Sequence, residues 1–186
     1  MRVTLAVTLV VVCSFTARSL AALSATADIT TSQTSAPFNY TITLHNTGDT
    51  SIGTFWFAWT STPGDYNFLP SIPTVTGGPS NWLSPVTHNP FPGDGYGIEW
   101  YNYFGSPIAP GGTGLFQFTS NDSPAVLAGN AYLPPFKVTH SFVYVGFPQT
   151  DPGFQLNATV PEPAGVAIAM CSLMIALKRR RYRQPD

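Results

Sequence analysis

Cysteine occurs only at Cys13 and Cys171, and both positions fall in apolar end segments. The stretch from 28 to 160 therefore has no disulfide, no thiolate nucleophile and no cysteine-ligated zinc, so packing alone must hold its fold. Charge is nearly as scarce. Charged residues make up 9% of the chain, and the middle stretch has one base, Lys137, against Asp28, Asp49, Asp65, Asp94, Glu99, Asp122 and Asp151. An acidic body with a single lysine lacks the cations that neutralise phosphate, which argues against nucleic acid and anionic membrane surfaces as its partners. No Gly-x-Ser-x-Gly elbow, phosphate loop or dinucleotide fingerprint occurs. Outside the two ends no window keeps a helical period, and there is no internal repeat.

The ends are rich in what the body lacks. Met1-Arg2 opens a short positive region, and Val3 to Phe15 is an apolar stretch. Small residues follow, offering cleavage after Ala21 or after Ala27. This is the layout of a secretory signal peptide, assigned to residues 1–27, with a retained N-terminal anchor as the alternative. Val12 before Cys13 is unsuited to a lipoprotein signal.

At the other end Val160-Pro161-Glu162-Pro163 precedes an uncharged run from Ala164 to Leu177, followed by Lys178-Arg179-Arg180-Arg181-Tyr182-Arg183. At about 1.5 Å per residue the run reaches about 21 Å, short of a hydrocarbon core of about 30 Å. Snorkelling of the basic side chains and local thinning reduce the deficit. The basic cluster favours a cytoplasmic end, as the positive-inside rule requires. A buried core helix is the competing reading, but the run has almost no polar face. Cys171 within it reads as a small apolar residue.

Motif, apolar run and basic cluster together resemble the PEP-CTERM sorting signal of proteins exported by Gram-negative-type bacteria. The resemblance covers residues 160–183. It implies that Pro161, Glu162 and Pro163 are the motif near which a membrane enzyme, exosortase, processes the chain. It also implies that Lys178, Arg179, Arg180 and Arg181 form the membrane stop. The protein is then exported, held by a C-terminal transmembrane helix before processing, and afterwards found at the cell surface or outside, in bacteria that make exopolysaccharide and biofilm. The apolar run is somewhat short for this pattern.

Between the ends, residues 28–159 read as one all-β domain, a single antiparallel β-sandwich. Phe38, Tyr40, Ile42 and Leu44 alternate with polar residues before the turn at Asn46-Thr47-Gly48-Asp49. Ile52 to Thr60 reads as one strand with Phe55, Phe57 and Trp59 on one face and Trp56 and Ala58 on the other. Further strands are expected at 82–87, 96–104, 113–119, 138–147 and 153–160, with long Gly/Pro-rich connections at 61–81 and 88–95. The stretch Tyr40 to Gly48, met later by Pro110-Gly111-Gly112 and the aromatic strand to Phe118, resembles bacterial surface Ig-like domains.

Chemistry is harder to find. His45, His88 and His140 lie on separate segments and read as solvated or hydrogen-bonded residues. Asp94 and Glu99 are a carboxylate pair near aromatics, as glycoside hydrolysis requires. On a strand, however, they would lie about 17 Å apart on opposite faces. Asp94 reads better as a turn residue. Asp65, Asp94, Asp122 and Asp151 sit in turn-rich loops where calcium ligands can converge, but without EF-hand spacing. The aromatics are the remaining candidates: Trp56, Trp59, Trp82 and Trp100 with Tyr66, Tyr96, Tyr101 and Tyr103. They either fill a disulfide-free core or present a sugar-stacking face, for which Trp82, Trp100, Tyr101 and Tyr103 are the expected residues. The reading is an exported structural or interaction protein of the envelope or matrix, without catalytic activity, cofactor or metal. Its alternative is a module binding exopolysaccharide.

Overall fold

A computed structural model describes residues 22–160. The strands are β1 (Ala25–Thr30), β2 (Phe38–Asn46), β3 (Thr54–Phe57), β4 (Trp59–Thr60), β5 (Tyr66–Asn67), β6 (Thr74–Gly77), β7 (Trp82–Leu83), β8 (Val86–Thr87), β9 (Gly97–Asn102), β10 (Thr113–Ser120), β11 (His140–Tyr144) and β12 (Phe154–Asn157). One helical turn, α1 (Pro124–Leu127), begins where the Ser123 side chain accepts the Val126 amide and proline occupies the first turn. The first sheet has the order β1-β2-β10-β6, and the second β12-β11-β3-β9-β7, with β8 also paired to β9. All these pairings are antiparallel.

Strict alternation makes the first sheet one-sided. On β2, Phe38, Tyr40, Ile42 and Leu44 are buried between half-buried or exposed polar residues, and on β10 Phe116 and Phe118 are buried beside exposed Leu115 and Gln117. The register places Tyr40 opposite Phe118 and Ile42 opposite Phe116. From the second sheet, Phe55 meets Phe116 with ring centroids 5.0 Å apart, Phe57 meets Phe118 at 5.4 Å, and Trp100 meets Phe116 at 5.1 Å. Each fully buried aromatic is worth about 1.5–3 kcal/mol of transfer free energy, which is how a cysteine-free body holds together.

The expected strand at 113–119 is present in full as β10, and those at 82–87, 96–104, 138–147 and 153–160 are present in shortened form, the first split into β7 and β8 around Ser84-Pro85. Several expectations need correction. The 61–81 connection contains β5 and β6, and β6 closes the edge of the first sheet against β10. The run from Ile52 to Thr60 is not one strand. Ala58 takes a left-handed φ of 57°, which breaks the alternation between β3 and β4. Trp59 therefore leaves the face of Phe55 and Phe57 and stacks on Trp56 at 3.8 Å with the planes 6° apart.

The start of the domain also lies earlier than residue 28. Ala25 and Ala27 are buried in β1, which pairs with β2 along its whole length. Ser24 accepts the amides of Thr47 and Gly48. The far end joins this edge, with the Ile29 amide donating to Thr159 and the Thr159 amide donating to Ala27, each at 2.8 Å. The expected signal-peptide helix, sorting motif Pro161-Glu162-Pro163, transmembrane helix and membrane stop at Lys178–Arg181 lie outside the described residues. Among the described residues no helix is long and apolar enough to cross a membrane.

Candidate functional site

Trp82 and Trp100, two of the four residues expected to bind ligand, belong to the core. Trp100 sits opposite Phe55 on β3 and is fully buried, its ring 5.8 Å from Phe55 and 9° from parallel. Its indole Nε1 has no hydrogen-bond partner. Trp82 is buried edge-on to Phe116, and its Nε1 donates to the Ser106 carbonyl at 3.0 Å. The period-two pattern of β9 forces this outcome. Ile98 and Trp100 point into the sandwich, whereas Glu99 and Tyr101 point out.

Tyr101 and Tyr103 do reach the surface, and the fold brings two further rings to them. Tyr101 is half-buried on the outer face of the second sheet, paired across the strands with Thr54 and Leu83. Phe147 stacks on it at 4.1 Å with an 18° tilt. Tyr103 is edge-on to Tyr101 at 6.3 Å and to Phe104 at 4.5 Å. Tyr103 is 57% exposed, Phe104 76% and Phe147 43%, with exposed Leu83 and Val145 beside them. Scattered exposed apolar residues are ordinary, whereas these rings form one contiguous group. The consecutive Tyr103-Phe104 before a glycine was a local signal for one part of this group. Phe147 joins only through the register of β11, β3 and β9.

The same face continues inward as a second, smaller apolar cluster. Trp59 packs edge-on against Phe142 at 5.6 Å and Tyr144 at 6.5 Å, and stacks on half-buried Trp56. Across the strands Trp56 lies between Phe142 and Glu99. Glu99 is 7% exposed, and the Gln149 side-chain amide donates to it. Burial pushes its carboxyl above the usual range, a shift the Gln149 bond opposes. Gln149 sits on the loop from 145 to 153. Asp151 shapes that loop by accepting the amides of Val145 at 2.9 Å and Gly153 at 2.8 Å.

The remaining candidates have structural duties. Asp94 accepts the Asn67 amide at 2.6 Å, the Asn67 side chain at 2.9 Å and the Asn89 amide at 2.7 Å, with His88 at 3.5 Å. It ties β5 to the loop that follows β8, and Glu99 serves a different face. Asp122 is buried and accepts both the amide and hydroxyl of Ser71, while the Tyr40 hydroxyl donates to its carbonyl at 2.6 Å. Burial and the Asp122 charge raise the Tyr40 hydroxyl well above its ordinary range. Asp65 is exposed in a loop. Among the described residues no three histidine, cysteine or acidic side chains converge. His140 is buried against Phe68, Phe136 and Phe142, and that burial lowers its pKa. His45 bonds Thr113 on the first sheet, so the three histidines stay on separate segments. A cleft of about 450 Å³ lies beside Asn67, Asp94, Asn130 and Tyr132, its polar side chains already engaged with one another, with Lys137 or with backbone.

No protein-family model matches this chain, and no curated protein matches it. Among solved structures it is similar to one described as the unique CBM3- of Hungateiclostridium clariflavum. That similarity has 9% identity and a TM-score of 0.42, and covers 75% of this chain and 100% of that chain. A likeness at that level does not bear on function.

Proposed function

We propose that this protein is an exported, PEP-CTERM-sorted interaction protein of the cell envelope or extracellular matrix, without catalytic activity, and that its body binds polysaccharide through the outer face of the second sheet. The observation that carries the reading is the exposed aromatic group of Tyr101, Tyr103, Phe104 and Phe147 on a rigid, hydrogen-bonded sheet. Aromatic rings on a preorganised surface stack on sugar faces with little loss of conformational freedom. The commitment of Asp94 to Asn67 and Asn89 supports a non-enzymatic role, since it takes one member of the only candidate carboxylate pair out of service. The strand orders support an Ig-like frame. They correspond to an ABED sheet facing a GFC sheet extended by further strands, except that the chain visits β6 before β9.

Migration of the mature protein through gels containing the host's exopolysaccharide tests the binding. Retardation that disappears in the Tyr103→Ala/Phe104→Ala variant is expected, and unchanged migration of the parent protein refutes it. The sorting component is tested by intact mass and cell fraction with and without exosortase. Processing near Pro163 only when the enzyme is present is expected. A tail retained in the membrane in both hosts makes it an ordinary anchor.

A further inference from the structure

We infer that Glu99 selects the ligand of this face, and that the ligand is a glycan carrying free amino groups, whose ammonium Glu99 receives. The inference rests on the reading of the aromatic face as a glycan site. Strand register places Glu99 beside Trp56 and two residues from Tyr101 on the same side of β9, at the inner end of the exposed rings. It is 7% exposed, yet among the described residues no cation pairs with it. Lys137, the one lysine among the described residues, donates to Asn130, and the one ion pair there is His88 with Asp94. A carboxylate withdrawn from water without a cation is costly, and an arriving ammonium relieves that cost through a charge-assisted hydrogen bond. The Gln149 amide, half-buried on a surface loop, holds the position a ligand donor would take.

The surroundings have the matching sign. The Tyr144 hydroxyl, in the same small cluster, is pushed up to about 12 by burial and by the charges of Asp151, Asp65 and Glu99. That field attracts a cationic sugar and repels a uronate. Aromatic rings beside Glu99 add the attraction of π faces for ammonium groups.

Calorimetry of the mature protein with glucosamine, N-acetylglucosamine and uronic acid oligomers of equal length tests the inference, at a pH where the amines are protonated. The free-amine oligomer should bind about tenfold more tightly than its acetylated counterpart, the scale of one hydrogen bond to a charged group. In Glu99→Gln that ratio should fall to about one while the acetylated oligomer binds as before. Gln149→Ala, which frees the carboxylate without altering the sheet, should preserve or widen the ratio. Equal binding of amine and acetylated oligomers, a preference that survives Glu99→Gln, or tightest binding of the uronate overturns the role of Glu99 and leaves the aromatic face standing. Failure of all three oligomers to bind overturns both.

Discussion

Replacing Phe116 by alanine removes the ring on which the two sheets are keyed. Phe116 is fully buried and contacts Phe55 at 5.0 Å, Trp100 at 5.1 Å and Trp82 at 5.7 Å. These three neighbours belong to β3, β9 and β7 of the opposite sheet, where interstrand hydrogen bonds hold them. They cannot move as a group into the vacated space, so the cavity stays largely open. Lost transfer free energy and residual cavity together cost about 3–5 kcal/mol for buried Phe→Ala, and the rigid surroundings favour about 4 kcal/mol. With a urea m-value of about 2 kcal/mol/M, the unfolding midpoint should fall by about 2 M at unchanged slope. Urea titration followed by tryptophan fluorescence reads this directly. A loss below about 1.5 kcal/mol would mean that the sheets repack and that the interlocked-ring account is wrong.

Tyr103→Ala/Phe104→Ala should behave in the opposite way, losing polysaccharide retention while stability changes by about 0.5 kcal/mol or less, because both rings are mainly solvent-exposed. Thermal melts and affinity gels on one preparation separate the two effects. Glu99→Gln should stabilise the protein as pH rises above the ordinary carboxylate value of 4.5. The native state holds the Glu99 proton longer than the unfolded chain, so its contribution declines with rising pH, and glutamine removes that slope. His140 has the opposite sign. Its folded pKa lies below 6.5, so stability is lost as pH falls through 6.5 toward the folded value, and His140→Phe should flatten that limb in acid melts. N-terminal sequencing of the mature protein should find cleavage after Ala21 rather than Ala27. The latter would cut β1 and discard buried Ala25 and Ala27; a mature chain starting at Asp28 with undiminished stability would refute this.

The strands most directly legible in the chain are those with one wet face. β2 and β10 announce themselves because a residue at every second position meets water. β11 is buried on both faces, and alternation located it without revealing that Phe142 and Tyr144 are covered by Trp59, and His140 by Phe68 and Phe136. β6, in the Gly/Pro-rich 61–81 segment, is defined by its pairing to β10 rather than by its own pattern. Ala58 carries no local signal for a left-handed backbone, yet it decides on which face Trp59 lies.

Sequence alone determined that the body is an all-β domain without disulfides, strongly acidic, and rich enough in aromatics to be held by their burial. These properties follow from composition and from a period of two, which the chain carries locally. Only the tertiary structure decided which aromatics are core and which are surface. An aromatic side chain is equally at home in both places, and its fate depends on strand register and on what crosses above it. Register sent Trp82 and Trp100 inward and left Tyr101 and Tyr103 at the surface. It also brought Phe147 from a distant loop onto Tyr101, and set Glu99 in an aromatic row with no cation paired to it among the described residues.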